Sequence, residues 1–262
     1  MFDLKKIILP IVAVVIMFSF PSTIFAENNS NLWKKVSGIW NIVQYNNKNV
    51  LVQSRVSSYP WQYNEPLNYN SLMLSEANDY SLIKYVFEIK DPVKQVDLVL
   101  FFNTEFSETS KYHNLYAFRL SGNNARFNNC DFFKSHIIDT GEMRKKKNFK
   151  VSVLSSTYCT ISTSQKLNCQ VKIDDKSATL YVNDIKIQSC EAPDSLNKGI
   201  VGFGVRNAVL IVHDFTLLKN GNVLVHDDFS KDNIKRNRVI MKKISKEEYD
   251  RLKKQKQEQR NK

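Results

Sequence analysis

The segment from Ser57 to Asn70 concentrates the residue types that recognise sugars. It reads SSYPWQYNEPLNYN and carries four rings, Tyr59, Trp61, Tyr63 and Tyr69, interleaved with amides and one carboxylate. Aromatic rings pack against the apolar faces of sugars, and amide and carboxylate groups hydrogen-bond their hydroxyls. Binding residues also concentrate in loops held by a rigid scaffold. We therefore expect a ligand site here; the alternative is that these rings cover an edge or an open end of the fold.

Two histidines and a carboxylate form the one constellation that could bind a metal. They flank Asn220–Gly221, a hairpin turn signal between two apolar runs. A two-residue loop would set His213 opposite Asp228, with His226 on the same face, and such a set suits zinc. A shift of one residue in register disperses the three. Polar residues on both strands of a hairpin are also typical of a solvated face, so we expect no metal.

Two carboxylates placed two or four positions apart on one strand would face the same groove and could serve sugar hydrolysis, although separated loops could also supply such a pair. No predicted strand carries such a pair, since Glu88 and Asp91 are three apart. The neighbours Asp174–Asp175 and Asp227–Asp228 lie at strand ends or turns, and no DxDxDG-type calcium loop is present. There is also no GxSxG nucleophile elbow. We therefore lean against an enzyme and expect no cofactor; calcium has no motif to support it.

All four cysteines, Cys130, Cys159, Cys169 and Cys190, follow the N-terminal apolar segment. An even number in an exported chain favours two disulfides, for which three pairings exist. Cys159 and Cys169 flank TISTSQKLN symmetrically, so a hairpin centred near Ser164 would place them opposite each other. Cys130 and Cys190 then pair by elimination. The spacing fits no zinc motif.

The first 26 residues have the layout of a secretory signal. A basic start precedes the apolar stretch Ile7–Phe20, and small or polar residues lead to Ala26, where we place cleavage. The apolar stretch is shorter than the roughly 20 residues of a membrane span, and no later run would span a bilayer. We expect an exported chain, periplasmic or extracellular.

The net charge of +12 belongs largely to the C-terminal tail. Residues Lys231–Lys262 hold thirteen Lys or Arg against five Asp or Glu, whereas Glu27–Ser230 carries only +3. Export and this distribution argue against nucleic acid as a partner. A basic tail suits acidic polymers, anionic lipid headgroups or a protein partner, or is simply solvated. A capping box at Ser245 and Glu248 predicts a partly helical tail.

The body is a succession of short segments that alternate apolar and polar residues. In YSLIKYVFEIK, the side chains of Ile83, Tyr85, Phe87 and Ile89 share one face, the pattern of a half-buried strand. Ten similar runs follow or precede it, separated by turn signals such as NNKN and DDKS. Helical patterns are nearly absent before residue 240. This predicts an all-β fold, a two-sheet antiparallel sandwich or jelly roll over residues 27–230.

The order of these strands resembles the concanavalin A-like lectin and glucanase superfamily, in particular laminin G-like jelly rolls of bacterial exported sugar-hydrolase-like proteins. Four stretches carry the resemblance: Gly38–Trp40 followed by NVLVQS, LYAFRL, ATLYVNDIKI, and GIVGFGV followed by VHDFTLL. Asp184 stands where the family often has glycine, and Leu167 or Asn168 where a tryptophan often stands. The resemblance implies the fold; it does not carry catalytic carboxylates to this chain. From the pattern of the opening stretch, we expect Trp40 and Ile42 to face the core, with Trp40 as a core anchor.

These observations favour an exported, non-catalytic module that binds glycan or a cell-envelope polymer. One alternative is a structural or adhesive envelope protein that uses its tail to hold protein partners. A further alternative is a divergent glycoside hydrolase, because this fold hosts lectins, glycosidases and structural modules.

Overall fold

The computed structural model describes residues 32–56, 69–93, 95–105, 114–123, 125–138, 148–232 and 234–235. All regular elements within these ranges are strands, and no helix in them has the length and apolarity to span a membrane. The seventeen strands in chain order are β1 (Trp33–Lys35), β2 (Trp40–Tyr45), β3 (Lys48–Gln53), β4 (Asn70–Leu74), β5 (Asn78–Asp79), β6 (Leu82–Lys90), β7 (Val96–Glu105), β8 (Asn114–Asn123), β9 (Arg126–Ile138), β10 (Asn148–Ser162), β11 (Leu167–Asp174), β12 (Ser177–Val182), β13 (Ile185–Glu191), β14 (Lys198–Arg206), β15 (Val209–Lys219), β16 (Asn222–Asp227) and β17 (Ile234–Lys235).

Two sheets make up the fold. The larger has the order β10-β9-β8-β7-β14-β4-β1-β17, with β5 paired to β14. The smaller has the order β13-β12-β11-β6-β15-β3-β2, with β16 paired to β15. Every strand pair is antiparallel except β1 with β17, which is parallel. The expected all-β, two-sheet antiparallel sandwich is confirmed, and the expected helical tail lies outside the described residues.

The core lies between the sheets, because each strand turns its apolar side chains inward. Phe203 of β14 sits at its centre. Its ring meets those of Trp33, Trp40, Tyr85 and Phe87 at centroid separations of 5.3 to 5.8 Å. Trp40 is 2% exposed, so its expected role as a core anchor is confirmed. Such edge-to-face contacts add to the stability from burial alone.

Asparagine and aspartate take the left-handed positions in two hairpin turns. Asn46 and Asn47 have φ of 49° and 61°, and Asn183 and Asp184 have φ of 50° and 63°. Two successive positive φ angles define the turn that best matches the twist of paired strands. Asp184 therefore fills a position that often holds glycine, because Asp tolerates this conformation better than most residues.

The hairpin expected around Ser164 is wrong. β10 pairs with β9 in the larger sheet, whereas β11 pairs with β6 and β12 in the smaller one. The connection between them crosses from sheet to sheet, so Cys159 and Cys169 are not cross-strand neighbours. The four cysteines are buried and their thiols are free, with neither Cys159–Cys169 nor Cys130–Cys190 formed as a disulfide. Symmetric spacing could not reveal this crossing.

Candidate functional site

The predicted aromatic loop is only partly described. Tyr59, Trp61 and Tyr63 lie outside the described residues. Tyr69, at the end of the loop, is 4% exposed; its ring centroid lies 6.3 Å from that of Phe101 and 5.6 Å from the guanidinium carbon of Arg206. Tyr69 therefore attaches the end of the loop to the larger sheet and presents no open ring face to solvent.

Two ion pairs with buried carboxylates lie beside Tyr69. Arg206 of β14 pairs with Asp97 of β7, directly opposite it in register. Arg119 of β8 pairs with Asp131 of β9, again directly opposite, with Nε 3.0 Å from Oδ2. Both pairs alternate along their strands with core residues, so they lie on the face of the larger sheet that points away from the smaller one.

The two carboxyl groups of these ion pairs have opposite pKa shifts. Burial raises the pKa of Asp97 and outweighs the attraction of Arg206 and Arg119. Burial also acts on Asp131, but hydrogen bonds from Arg119 and Ser156 outweigh it and lower the pKa of Asp131. Two carboxyl groups whose pKa values are shifted in opposite directions are typical of acid–base pairs. A sequence search for carboxylate pairs within one strand missed these two aspartates, because they come from different strands.

The surroundings of these carboxylates indicate a structural role. Asp131 accepts hydrogen bonds from Asn129 Nδ2 at 2.6 Å and from Ser156 Oγ at 2.7 Å, besides those of Arg119. Asp97 is fully buried against Arg206. Neither lines the two cavities described below. Structural ion pairs also perturb pKa values, so the shifts alone do not make a catalytic site.

The three candidate metal ligands are dispersed. His213 Nε2 lies 3.2 Å from Glu88 Oε2, and His226 Nε2 lies 2.9 Å from Asp214 Oδ2. Asp228 accepts a hydrogen bond from the backbone N–H of Ser230 at 3.0 Å. A register shift between Leu217 and Leu218 pairs Phe215 with Asp227, so His213 and Asp228 are no longer opposite. Burial lowers the pKa of His213, partly offset by the hydrogen bond to Glu88.

The aspartates considered as calcium ligands likewise do not form a site: they accept hydrogen bonds from the protein or lie at separate turns. Asp227 accepts hydrogen bonds from Trp33 Nε1 and from the backbone N–H of Phe229, both at 2.8 Å. Asp174 and Asp175 border the turn between β11 and β12. Across the described ranges, no three His, Cys, Asp or Glu side chains are grouped to hold a metal ion.

A cleft of about 650 Å³ lies at one end of the sandwich. The end of β6, the β8–β9 turn and the β10–β11 connection meet there. Its polar lining comes from Lys90, Asp91, Arg126, Thr160, Ser162 and Ser164. The backbone N–H of Thr163 donates to Ala125 O at 3.1 Å, and Ser162 Oγ lies 2.8 Å from Ser164 Oγ. These hydrogen bonds hold the β10–β11 connection against the β8–β9 turn, so one side of the cleft is ordered.

A second cavity, of about 290 Å³, lies between β10 and β13, the edge strands of the two sheets. Thr160 and Ser162 line both cavities, so we call the two together the β10 groove. The side chain of Tyr158 is 76% exposed at the second cavity and that of Ile185 is 66% exposed. The amide residues Gln165 and Asn183 complete it. The β10 groove thus combines an open aromatic ring with hydroxyl and amide groups.

Sequence reasoning missed the β10 groove because the strand NFKVSVL was expected to end before it. β10 continues to Ser162. Within the continuation, exposed Tyr158 and Thr160 alternate with buried Cys159 and Ile161. This alternation was the available signal for a strand with one solvated face.

No protein-family model matches the chain, and no curated protein sequence matches it. Among solved structures, it is similar to the carbohydrate-binding module CBM66 from Bacillus subtilis, at 14% identity and a TM-score of 0.49, covering 70% of this chain and 92% of that one. It is also similar to a Bacillus licheniformis beta-glucanase, at 11% identity and a TM-score of 0.45, covering 75% and 96%. A third is a Bacillus subtilis protein of unknown function with a galectin-like fold, at 13% identity and a TM-score of 0.44, covering 71% and 89%.

The described sheets by themselves show the two-sheet architecture.

Proposed function

We propose that the chain is an exported, non-catalytic module that binds glycan or a cell-envelope polymer through the β10 groove. The observation that carries the proposal is the open ring of Tyr158 at the edge of a groove lined by Thr160, Ser162, Gln165 and Asn183. An exposed ring supplies a stacking surface for a sugar, and hydroxyl and amide groups hydrogen-bond its hydroxyls. Binding needs no covalent step.

The carboxylates of the groove support binding over hydrolysis. A glycoside hydrolase requires two carboxyl groups on opposite sides of the scissile bond. Among the described residues that line the groove, Asp91 is the only carboxylate. Asp97 and Asp131 are held in ion pairs elsewhere on the larger sheet.

The aromatic loop is a second proposed contact, separate from the groove. Tyr69 immediately precedes β4, which lies five strand positions from β10 in the larger sheet. At about 4.8 Å per strand, this places the base of the loop roughly 24 Å from the groove. Tyr59, Trp61 and Tyr63 would stack on a different part of the same polymer.

Export and the role of the tail belong to the same proposal. The signal layout of residues 1–26 supports export, and the charge of Lys231–Lys262 supports a contact with an acidic polymer or a protein partner.

A polysaccharide pull-down of the mature chain tests the proposal, with Tyr158→Ala, Trp61→Ala and Tyr45→Ala compared to the wild type. Tyr45 lies on β2, away from the groove, and serves as the control. Loss of about 0.5–1.5 kcal/mol of stacking predicts a fall in affinity of roughly two- to tenfold for Tyr158→Ala and none for Tyr45→Ala. Absence of binding to any glycan, or equal binding by Tyr158→Ala, contradicts the groove; loss confined to Trp61→Ala moves the site to the loop.

A further inference from the structure

We infer that the polymer bound in the β10 groove is an acidic glycan, whose carboxylate, sulfate or phosphate groups are bound at Arg126. This inference rests on the proposed function, because it specifies the chemical class of the ligand at the same site.

The side chains that line the groove carry more positive than negative charge. Three cations line it, namely Lys90 and Arg126 in the cleft and Lys186 in the cavity beside β13. Asp91 is their single acidic counterpart among the described lining residues. Most of the body's surface charge is balanced, since Glu27–Ser230 carries only +3 overall. A local excess of positive charge in a concave site attracts anions.

Arg126 is placed for a direct contact with an anion. It begins β9 and is the register partner of Ser162 on β10. Side chains at paired positions project from the same face of a sheet, so the guanidinium group emerges beside the Ser162 hydroxyl. Arg126 is exposed and forms no ion pair with any residue that the structure describes. Its planar group can donate two parallel hydrogen bonds to a carboxylate, sulfate or phosphate.

The other two cations contribute less directly. Lys90 Nζ lies 2.6 Å from Glu88 Oε1, so its charge is already shared with a carboxylate. Lys186 is exposed near Tyr158, at the aromatic end of the groove. The order along the groove is therefore a stacking ring, then hydroxyl groups, then Arg126. Tyr158 to Ser162 spans about 13 Å of extended strand, which suits a chain of sugars more than a single ion.

Matched polymer pairs test this inference, because each pair shares a backbone and differs only in charge. We would measure binding of the full mature chain to dextran sulfate and dextran, polygalacturonate and its methyl ester, and phosphomannan and mannan. The variants are Arg126→Gln and, as a control, Arg55→Gln, an exposed arginine that does not line the groove.

The expected result is binding to at least one acidic polymer in preference to its neutral partner, weakened by salt. Loss of a charge-assisted hydrogen bond predicts that Arg126→Gln lowers this affinity about tenfold while Arg55→Gln does not. Which pair discriminates tells carboxylate, sulfate and phosphate apart.

Two results overturn the inference in different ways. In the first, the chain binds the neutral and acidic polymers of a pair equally, and this binding is lost in Tyr158→Ala but kept in Arg126→Gln. That result refutes the acidic ligand and is consistent with the proposed function. Binding to acidic polymers that Arg126→Gln leaves unchanged assigns the attraction to the basic tail and refutes the site. Absence of binding to all six polymers refutes the acidic ligand, and the wider polysaccharide pull-down then decides the proposed function.

Discussion

Trp33 Nε1 donates a 2.8 Å hydrogen bond to Asp227 Oδ2, and both side chains are buried. This contact joins β1, at the start of the described chain, to the end of β16, 194 residues later. The second oxygen of Asp227 accepts the backbone N–H of Phe229 at 2.8 Å. One carboxylate thus ties together two remote parts of the sandwich.

Asp227→Asn should destabilise the fold by about 1–3 kcal/mol. The carboxylate faces two N–H donors, so either orientation of an amide sets its NH2 group against one of them and leaves buried donors unsatisfied. Urea unfolding would measure the change. Asp228→Asn is the control, because Asp228 caps only an exposed turn at Ser230, and its effect should stay within about 0.5 kcal/mol. Equal effects of the two variants would contradict the role of the Trp33 contact.

The stabilising contribution of Asp131 should disappear in acid. The pKa of Asp131 lies below its usual value of 3.8, because hydrogen bonds from Arg119 and Ser156 outweigh burial. A depressed folded-state pKa stabilises the protein above the unfolded value, and this stabilisation is lost as the pH falls through the folded value. The stability gap between wild type and Asp131→Asn should therefore be constant near neutral pH and close below about pH 3.8.

Asp97 should show the opposite sign. Burial raises the pKa of Asp97 above 3.8, so the folded state holds the proton more tightly than the unfolded state. The advantage of wild type over Asp97→Asn should shrink as the pH rises above 3.8 towards the raised folded value. Urea unfolding at a series of pH values measures the stability difference between wild type and each variant. Differences that do not change with pH would refute the pKa shifts of Asp131 and Asp97.

Gly38→Ala should cost clearly more stability than Gly221→Ala. Both glycines have left-handed backbones, with φ of 89° and 84°. A Cβ atom at Gly38 would lie 2.8 Å from Asn70 Cβ, whereas nothing lies within 4 Å of one at Gly221. The backbone penalty of about 1 kcal/mol is common to both, so the difference between their melting temperatures isolates the close approach of β4. Equal melting temperatures would show that Asn70 moves aside freely.

The four cysteine thiols should resist alkylation in the folded protein. Burial raises the pKa of Cys169 to about 12, and it raises the pKa of Cys130 further with help from the neighbouring thiols. The thiolate is the reactive form, so iodoacetamide should label the native reduced protein slowly and the urea-unfolded protein completely. Mass spectrometry reads this out. An untreated chain lighter by two hydrogens per bridge would instead show the disulfides expected from the sequence.

The alternation of apolar and polar residues predicts much of the fold, because a strand buried on one face has apolar residues at every second position. In β6, Ile83, Tyr85, Phe87 and Ile89 are at most 4% exposed, as their spacing predicts. The Asn220–Gly221 hairpin also forms as expected. Its register near the turn follows the two-residue loop, and the shift at Leu217 arises farther along, where no turn residue marks it.

Long-range arrangement is what the sequence could not reveal. Period two tells which residues share a face, but it does not tell which sheet a strand joins. The crossing between β10 and β11 separated Cys159 from Cys169 for this reason. The β10 groove also depends on long-range pairing, besides the unexpected length of β10, since Arg126 and Ser162 become neighbours only through the pairing of β9 with β10.

The parallel pairing of β1 with β17 places the first and last described strands at the same edge of the larger sheet. The chain enters the described fold through β1 and leaves it through β17, side by side at one edge of the larger sheet, and β10 forms the opposite edge. Seven strand spacings, about 34 Å, separate the two edges. A partner that contacts the protein beside β1 or β17 would therefore lie at the edge of the larger sheet opposite the β10 groove.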